Sequence, residues 1–369
     1  MKKKVNICHL TSVHRRFDIR IFVKECSSLA KVKGFDVSLI VADGIGNECK
    51  NNINIYDVGK PSSRLNRIFK IDKKVYKKAL ELNRDIYHIH DPELIPYGLK
   101  LKRKGKKVIF DAHEDFPMQI LSKHYVPNFA KTLVSKLFIK YEKKISKKLD
   151  GIITATPFIK NKFKSYASNV MDIRNYPLND EIKYGDVNFL KKDNSICYVG
   201  GISQARGVYE LVESLGYLNN TTLELAGAFV DEKYERKIRE SKNWDKVNFH
   251  GFVDRTRIIE IFNKSSIGMV TLYKTPNIIN SLPIKLFEYM SAGLPVIVSN
   301  IPYWEDIVVG KCGLSVNPKS SKEVAEAITY LFNNPKEAKR MGEQGKKDVI
   351  NKYNWEIEEK KLIDFYHKL

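Results

Sequence analysis

The most informative absences in this 369-residue sequence concern membranes and metals. No apolar run approaches the roughly 18 residues that a membrane-spanning helix needs. The leading Met-Lys-Lys-Lys is followed only by the short apolar run 5–10, which predicts a first strand rather than a signal peptide. The five cysteines are scattered, with no Cys-x-x-Cys pair and no zinc-type spacing. These absences predict a reduced, cytoplasmic protein without a structural metal.

Several functional motifs are also missing. No Gly-x-Gly-x-x-Gly follows the first predicted strand, so a nicotinamide or flavin domain loses its main sequence support. The tripeptide His113-Glu114-Asp115 lacks the second histidine of His-Glu-x-x-His, which argues against a metalloprotease site. No helix-turn-helix, zinc-finger or RNA-binding aromatic signature is present. We therefore expect no metal, no cofactor and no nucleic-acid partner.

Acidic residues are scarce in the first half of the chain. The net charge is +21, and residues 1–176 hold 37 Lys/Arg against 17 Asp/Glu, whereas residues 177–369 hold 27 against 26. Such asymmetry predicts an anionic partner for the first half: nucleic acid, an anionic membrane surface or a phosphorylated lipid. The alternative is a solvated lysine-rich surface.

The order of predicted strands and helices favours an α/β protein of two domains. Strands at 5–10 and 35–41 flank a helix, and this alternation continues along the chain, which favours parallel sheets. The length suits two domains rather than one. Asn175-Tyr176-Pro177 marks the junction. The domains are therefore predicted at 1–176 and from 177 onward.

The segment 280–300 carries the strongest functional signal. Asn280 or Ser281 can cap a helix, and Pro283 suits its first turn. Gly293 ends the helix before a buried parallel strand at 296–298. The free N–H groups at the helix start form an anion site, and Glu288 can accept hydrogen bonds from a vicinal diol. Together they suit a nucleotide diphosphate with its ribose.

A second segment predicts phosphate binding. A strand at 195–199 leads into Gly200-Gly201, and Arg206-Gly207 follow at the start of a helix. Glycine lets backbone N–H groups approach a phosphate, and arginine adds charge with two-point hydrogen bonding.

Two strand ends in the first half carry polar side chains. His113 and Glu114 follow the strand 107–111, and His90 and Asp91 follow the preceding strand. Ligands of open α/β sheets bind at the carboxyl ends of strands, so this edge is a candidate site.

Two basic helical stretches lie in the first half, at 64–82 and 128–149. In the second, Phe129, Leu133, Leu137 and Tyr141 recur at helical spacing beside a cluster of lysines. Such a helix can lie on an anionic membrane, or it can pack its apolar face in the core and leave solvated lysines outside.

These motifs, in this order, resemble the retaining family 4 glycosyltransferases of the GT-B fold. Glu288 matches the second glutamate of the family's Glu-x7-Glu pattern, and Gly293-Leu-Pro-Val follows in place. Asn280 replaces the first glutamate. Arg206-Gly207 stands for the family's Lys-Gly, and Gly201 occupies the position of its arginine. Lys285, Arg174 or an arginine of the first loop can supply that missing charge.

The resemblance implies two Rossmann-like parallel-sheet domains facing a cleft. The first, 1–176, would bind the acceptor and include the last helix, 353–369, which crosses back to it. The second, 177–352, would bind a nucleotide sugar without metal. The implied donor-binding residues are Gly200, Gly201, Arg206, Gly207, Phe252, Val253, Asn280, Ser281, Leu282, Pro283, Lys285 and Glu288.

The resemblance also implies catalytic roles. His113 would position the donor sugar near its reacting carbon, Arg206 and the helix start at Ser281 would stabilise the departing diphosphate, and Glu288 would anchor the ribose. Further expected cleft residues are Arg15, Asp18, Arg20, His90, Asp91 and Glu114.

The expected reaction is sugar transfer with retention from a UDP-sugar, or next a GDP-sugar, to a lipid-diphosphate-linked saccharide. The setting would be surface polysaccharide (O-antigen or capsule) synthesis at the inner face of the plasma membrane, with the basic first domain against anionic lipid. Two alternatives stay open: a GT-B nucleotide-sugar epimerase, which needs no acceptor, and a nucleic-acid-binding protein, suggested by charge alone.

Overall fold

The computed structural model describes residues 4–122, 127–178 and 194–369. The chain divides into two compact units: unit 1 comprises Met1–Asn175 with Trp355–Leu369, and unit 2 comprises Tyr176–Asn354. The boundaries predicted at 176 and 352 lie close to these. The first part of the predicted second domain, 179–193, lies outside the described residues.

Unit 1 is built on an eight-stranded sheet. Its strands are β1 (Val5–Leu10), β2 (Phe35–Val41), β3 (Glu48–Lys50), β4 (Ile53–Asp57), β5 (Ile86–Ile89), β6 (Lys107–Ala112), β7 (Gly151–Thr154) and β8 (Val170–Asp172). They lie in the order β3-β4-β2-β1-β5-β6-β7-β8. Only the β3–β4 pair is antiparallel among the described strands.

Helices connect these strands. They are α1 (Ser27–Ala30), α2 (Arg64–Asn66), α3 (Asp72–Leu82), α4 (Ile95–Lys102), α5 (Phe116–Ser122), α6 (Asn128–Ser146) and α7 (Pro157–Lys164). Two π-helical segments, Ile19–Cys26 and Arg67–Ile71, run directly into α1 and α3. The carboxylate of Asp18 caps the first of them by accepting from the N–H groups of Arg20 and Ile21.

Unit 2 has a six-stranded sheet, entirely parallel among its described strands. Its strands are β9 (Ser195–Val199), β10 (Thr222–Ala226), β11 (Val247–Gly251), β12 (Ile267–Val270), β13 (Val296–Ser299) and β14 (Gly313–Val316). Their order is β11-β10-β9-β12-β13-β14. The helices are α8 (Val208–Ser214), α9 (Glu232–Arg239), α10 (Arg255–Lys264), α11 (Ile284–Ser291), α12 (Pro302–Val308), α13 (Ser321–Asn333) and α14 (Pro335–Lys352).

The central strands are buried on both faces, which explains their continuous apolar runs. Every residue of β5, β9, β12 and β13 is buried. Helices therefore cover both sides of each sheet, as a parallel sheet requires. The predicted Rossmann-like, parallel-sheet architecture is confirmed in each unit.

The last helix, α15 (Trp355–His367), belongs to unit 1 although it follows unit 2 in the chain. Trp355, Leu362, Phe365 and Tyr366 are buried, and the Trp355 indole donates to Ser28 Oγ at 2.9 Å. A Cβ on Gly151 would lie 2.5 Å from the Phe365 ring, so only glycine fits there. The return of the last helix to the first domain, expected from the family, is confirmed.

The basic helix α6 corrects one interpretation of the sequence. Phe129, Leu133 and Leu137 are 91%, 60% and 56% exposed, so this apolar row does not pack in the core. The packed face is formed by other residues, among them Ser135, Glu142 and Ile145. Within the described residues, no helix combines the length and apolarity that crossing a membrane requires.

Candidate active site

Each sheet reverses its strand order at one place, and that place predicts a ligand site. In unit 1 the reversal falls between β1 and β5, and in unit 2 between β9 and β12. Loops that leave neighbouring strands in opposite directions open a crevice beyond the strands' carboxyl ends. The loops with His14 and Asp91 end β1 and β5, and those with Gly200 and Thr271 end β9 and β12.

The glycines after β9 and β10 make a close backbone approach. Gly200 has φ +132° and Gly227 has φ +145°, conformations that side chains rarely allow. A Cβ on Gly227 would lie 2.0 Å from the Gly200 carbonyl oxygen. The two turns therefore form a flat, side-chain-free floor at the end of the sheet. Gly201 is exposed, with open space around its Cα.

Arg206 and Gly207 lie at the edge of this floor. Gly207 has φ +65°, and a Cβ there would meet the Thr271 carbonyl oxygen at 2.0 Å. Its left-handed turn separates a one-turn helix at Gln204–Arg206 from α8. Among the described residues, no carboxylate forms an ion pair with the Arg206 guanidinium. The arginine is thus available to an anion.

Lys285 is the most unusual side chain of unit 2. It is buried, and its ammonium has no hydrogen-bond partner within the described part of the chain. The Nζ lies 3.6 Å from the centroid of the Tyr198 ring and 2.9 Å from the position that a Cβ on Gly200 would occupy. Burial, and then the charge of Arg206, lower the pKa of Lys285 well below its ordinary value. The Lys285 amine therefore lies beside the glycine floor, where a bound anion would favour its charged form.

The helix start was placed too early by the sequence. Neither Asn280 nor Ser281 caps α11, which begins at Ile284 with Pro283 at the cap position and no side-chain cap. The Ser281 hydroxyl instead donates to the Ile278 carbonyl at 2.9 Å, and the Trp304 indole donates to the Ser281 carbonyl at 2.7 Å. Residues 280–282 therefore form a fixed loop, and the free N–H groups belong to Ile284 and Lys285.

The predicted diol acceptor is already paired. Glu288 lies just over one turn into α11, and its Oε1 accepts from Arg255 Nη1 at 2.7 Å. It remains partly exposed, so its second oxygen can accept from a ligand. Phe252 is 87% exposed, whereas Val253 and Leu282 pack against the core. The exposed ring of Phe252 could stack against a planar ring of a ligand.

Unit 1 has a pocket of about 440 Å³ at its own strand reversal. Its lining includes His14, Arg64, Arg67, Asp91, Glu93 and His113. The rings of His14 and His113 meet edge to face with centroids 5.4 Å apart. Burial disfavours the charged form of His14, but Asp18 and Asp91 outweigh it and raise its pKa. The pocket is thus lined by two histidines and two arginines together with the carboxylates of Asp91 and Glu93.

Among the other predicted residues of unit 1, His90, Asp91 and Glu114 also line this pocket, whereas Arg15, Asp18 and Arg20 do not. Asp91 is buried and accepts from the Thr11 hydroxyl and from the Ser12 backbone and hydroxyl. His90 is buried beside Asp111, whereas Arg15 and Glu114 are exposed. Arg20 does not line an open site. It is buried and bound to both carboxylate oxygens of Asp111 at 2.8 Å, because a buried carboxylate needs a charged partner.

Sequence reasoning missed four residues that contribute to the candidate sites of the two units: Gly227, Arg255, Asp111 and His14. Gly227 ends a predicted strand, which is a signal for a phosphate-facing turn. Asp111 also ends a predicted strand, and His113 Nδ1 lies 3.5 Å from its Oδ2. Arg255 carries no local signal, since its contact with Glu288 spans 33 residues.

Comparison with known proteins places the chain in a family. The model for glycosyl transferases group 1 matches residues 180–348, and the model for Glycosyltransferase Family 4 matches residues 21–173. The chain belongs to the family 4 glycosyltransferases. Between them the two matches cover most of both units.

Relatives and solved structures agree with this. A glycosyltransferase of Haemophilus influenzae is 26% identical over 86% of each chain. One from Methanocaldococcus jannaschii is 23% identical over 47% of this chain and 45% of its own. The sucrose-phosphate synthase of Thermosynechococcus elongatus superposes with TM-score 0.80 at 16% identity, over 99% of both chains. Anabaena Alr3699/HepE in complex with UDP and glucose gives TM-score 0.76 at 12% identity, over 99% and 100%. The fold is GT-B.

Proposed function

We propose that this family 4 glycosyltransferase moves a hexosyl group, with retention at the anomeric carbon, from a nucleotide-diphosphate sugar to a lipid-diphosphate-linked saccharide. A UDP-sugar is the favoured donor and a GDP-sugar the next. The product would be an intermediate of a surface polysaccharide such as O-antigen or capsule.

The observation that carries the proposal is the pair of cations over the glycine floor. Lys285 has a buried Nζ beside Gly200 without a hydrogen-bond partner among the described residues, and Arg206 lies close enough for its charge to lower the pKa of Lys285. A diphosphate bound there would pair with both Lys285 and Arg206. As the sugar leaves, negative charge grows on the diphosphate, and fixed positive charges in a dry site stabilise it strongly. Lys285 thus takes the role of the arginine that Gly201 replaces, and the reaction uses no metal.

The remaining donor contacts follow from neighbouring residues. Glu288 is held by Arg255 and offers its other oxygen to the ribose hydroxyls. The exposed Phe252 and the backbone near Val253 suit the base. The bound UDP and glucose of Anabaena Alr3699/HepE support a UDP-sugar as the first donor to try.

The pocket of unit 1 is our candidate for the acceptor. Arg64, Arg67 and a His14 whose pKa is raised suit the phosphate of a lipid diphosphate. Glu93 and Asp91 suit saccharide hydroxyls. His113, with its ring next to His14, positions the donor sugar in this proposal.

The exposed face of α6 supports peripheral attachment to an anionic membrane. Phe129, Leu133 and Leu137 offer apolar side chains for insertion. Five lysines, 140, 143, 144, 147 and 148, line one adjoining surface. Each lysine close to anionic lipid contributes about 1 kcal/mol, so several together give reversible binding. Such attachment would bring unit 1 to a lipid-linked acceptor at the inner face of the plasma membrane.

The test offers purified protein a panel of UDP- and GDP-sugars with and without lipid-diphosphate acceptors. Nucleotide release that depends on acceptor, with NMR of the product showing the donor's anomeric configuration, is the expected result. Absence of binding to every nucleotide sugar in the panel would overturn the proposal. Epimerised donor in reactions without acceptor would favour the epimerase instead.

A further inference from the structure

Four titratable side chains meet in the interior of unit 1, away from its exposed loops. His9 lies on β1, His88 and His90 lie on β5, and Glu25 lies on the π-helical segment 19–26. All four are fully buried, with exposed fractions of 0%. One nitrogen or oxygen from each lies within 4.8 Å of all the others. Three imidazoles and a carboxylate are an ordinary ligand set for zinc.

The separations among these atoms suit a single ion. His9 Nδ1 and His90 Nε2 are 2.9 Å apart, His88 Nδ1 and Glu25 Oε2 are 3.7 Å apart, and His90 Nε2 and Glu25 Oε2 are 4.0 Å apart. Ligand bonds of about 2.0–2.1 Å in a tetrahedron place neighbouring donor atoms about 3.3 Å apart. The three measured distances lie on both sides of this value, so small shifts of the side chains would bring the donor atoms to the spacing of a tetrahedral site.

The outward-facing histidine nitrogens have the partners that metal ligands normally have. His90 Nδ1 lies 3.2 Å from Asp111 Oδ2, and His9 Nε2 lies 3.4 Å from the Tyr366 hydroxyl. A histidine bound to metal usually gives its other N–H to a carboxylate or another acceptor, which fixes the ring and its tautomer. His88 differs: its Nδ1 lies 2.8 Å from the Tyr366 hydroxyl and its Nε2 has no hydrogen-bond partner among the described residues, so His88 would give up the Tyr366 contact to bind the ion through Nδ1.

Glu25 supplies an independent sign of a missing partner. Both of its carboxylate oxygens are buried without a hydrogen bond in the described part of the chain. Arg20 Nε reaches Oε1 at 3.2 Å without hydrogen-bond geometry, which leaves Oε2 facing the histidines. A buried carboxylate without hydrogen bonds is costly, and a cation bound at Oε2 would offset that cost.

We propose that His9, Glu25, His88 and His90 form a structural zinc site inside unit 1. The ion would join the two central strands to the segment 19–26, with Tyr366 of α15 packed against it. All four residues are fully buried, so the ion would be structural and the proposal does not rest on the proposed function, and His90 also lines the pocket of unit 1. Sequence spacing does not reveal it, because residue 9, residue 25 and the pair 88 and 90 come from three distant segments.

The direct test uses the wild-type, full-length chain with a tag that contains no histidine. Because the site is enclosed, the ion must enter during folding, so growth medium is supplemented with ZnCl2 or CoCl2. We expect about one zinc per chain by mass spectrometry, and a visible ligand-field spectrum typical of four-coordinate cobalt after growth with cobalt. Folded protein with no stoichiometric metal after either growth would overturn the proposal and leave a hydrogen-bonded histidine cluster.

Variants then locate the ion. Glu25→Gln keeps the volume but weakens the ligand, and His88→Gln removes an imidazole; each should lower bound zinc from about one to under about a tenth per chain. The controls are His250→Gln in unit 2 and His367→Gln, which is exposed on α15. Both controls should keep the full zinc content. Equal metal in all four variants would overturn the assignment. If the two ligand variants fail to fold, the cobalt spectrum of the wild type decides.

Discussion

At the scale of single residues, Lys285 shows a conflict between stability and binding. A buried ammonium without a hydrogen-bond partner opposes folding, since the face of Tyr198, 3.6 Å away, replaces only part of the lost hydration. Its retention next to the Gly200 turn is understandable only if an anion compensates it in the working protein. Stability and donor binding should therefore respond to its removal in opposite directions.

Lys285→Met should raise the free energy of unfolding by on the order of 2 kcal/mol, because it removes a buried, unpaired charge. The same change should lower kcat/KM for the donor by on the order of 100-fold, the usual loss when one group that stabilises the transition state is removed. Denaturant unfolding and steady-state kinetics measure the two effects. An unaltered affinity for UDP would contradict the assignment.

Two further variants sharpen this test. Lys274→Met removes an exposed lysine of a nearby loop and should change neither quantity. Gly201→Arg restores the arginine of the family pattern at a position with open space around its Cα. Added to Lys285→Met, it should recover part of the lost donor affinity.

The pH dependence of nucleotide binding should also report on Lys285. Its pKa in the free protein lies well below 10.5, and a bound diphosphate raises it, so binding takes up a proton above the free-state pKa. UDP affinity should therefore fall as pH rises, and the Lys285→Met variant should lose this slope. The unfolded chain binds more protons than the folded one, so stability without ligand should rise with pH toward 10.5. Calorimetry across pH measures the first effect and denaturant unfolding the second.

Two neighbouring glycines provide a matched test of backbone geometry. Gly207→Ala forces a Cβ to 2.0 Å from the Thr271 carbonyl at positive φ, and should cost on the order of 2 kcal/mol and most donor binding. Gly201→Ala meets nothing within 4 Å and should fold normally. Thermal unfolding compares them. Equal stability of the two variants would show that the Gly207 turn is not required.

At the scale of elements, sequence patterns predicted which strands and helices form more reliably than they predicted the contacts that those elements make. The strands at 5–10, 35–41 and 195–199 were predicted with the bounds that the structure gives. The start of α11 was wrong because a long-range contact, the Trp304 indole on the Ser281 carbonyl, holds the preceding loop. Sequence periodicity shows such contacts poorly, since it reports only neighbours along the chain.

Helix α6 illustrates the same limit. Its spacing predicted an apolar row, but spacing cannot say whether that row faces the core or solvent. The row at Phe129, Leu133 and Leu137 faces solvent, so its function can be tested without disturbing the fold.

Leu133→Glu with Leu137→Glu should reduce co-sedimentation with anionic vesicles by about tenfold or more, because two apolar anchors become like-charged with the lipid. Thermal stability should stay within about 0.5 kcal/mol of the wild type, as for exposed positions generally. The control is Ile350→Glu on α14, a comparably exposed residue that should leave vesicle binding intact. Unchanged sedimentation of the double variant would rule out α6 as the membrane anchor.

At the scale of the whole molecule, composition and alternation were enough to predict two α/β domains near their observed bounds. The family's motif order supplied the assignment of α15 to unit 1. Site geometry was less accessible: the roles predicted for Lys285 and Arg206 at a diphosphate stay predictions, and Arg20, expected to line a cleft, is buried. The burial of Arg20 depends on Asp111, which lies 91 residues away.

The division into two units predicts how separate fragments of the chain should fold. Residues 176–354 should fold alone, because the described part of unit 2 has its own sheet and its own buried core, and should bind UDP weakly. Residues 1–175 lack Trp355, Leu362, Phe365 and Tyr366, so they should lose on the order of 5 kcal/mol of stability. Circular dichroism and thermal unfolding of each fragment, with a 355–369 peptide added to the first, measure this. Full stability of 1–175 without the peptide would refute it.

The position of α15 also orders events during synthesis. The strands of unit 1 leave the ribosome first, yet α15, which belongs to the same unit, is translated only after unit 2. Domains generally fold as they emerge, so unit 2 can be complete while unit 1 still exposes the apolar surface that Trp355 and Phe365 will cover. A chain truncated before residue 355 should therefore expose apolar surface on unit 1, which chaperones and proteases recognise.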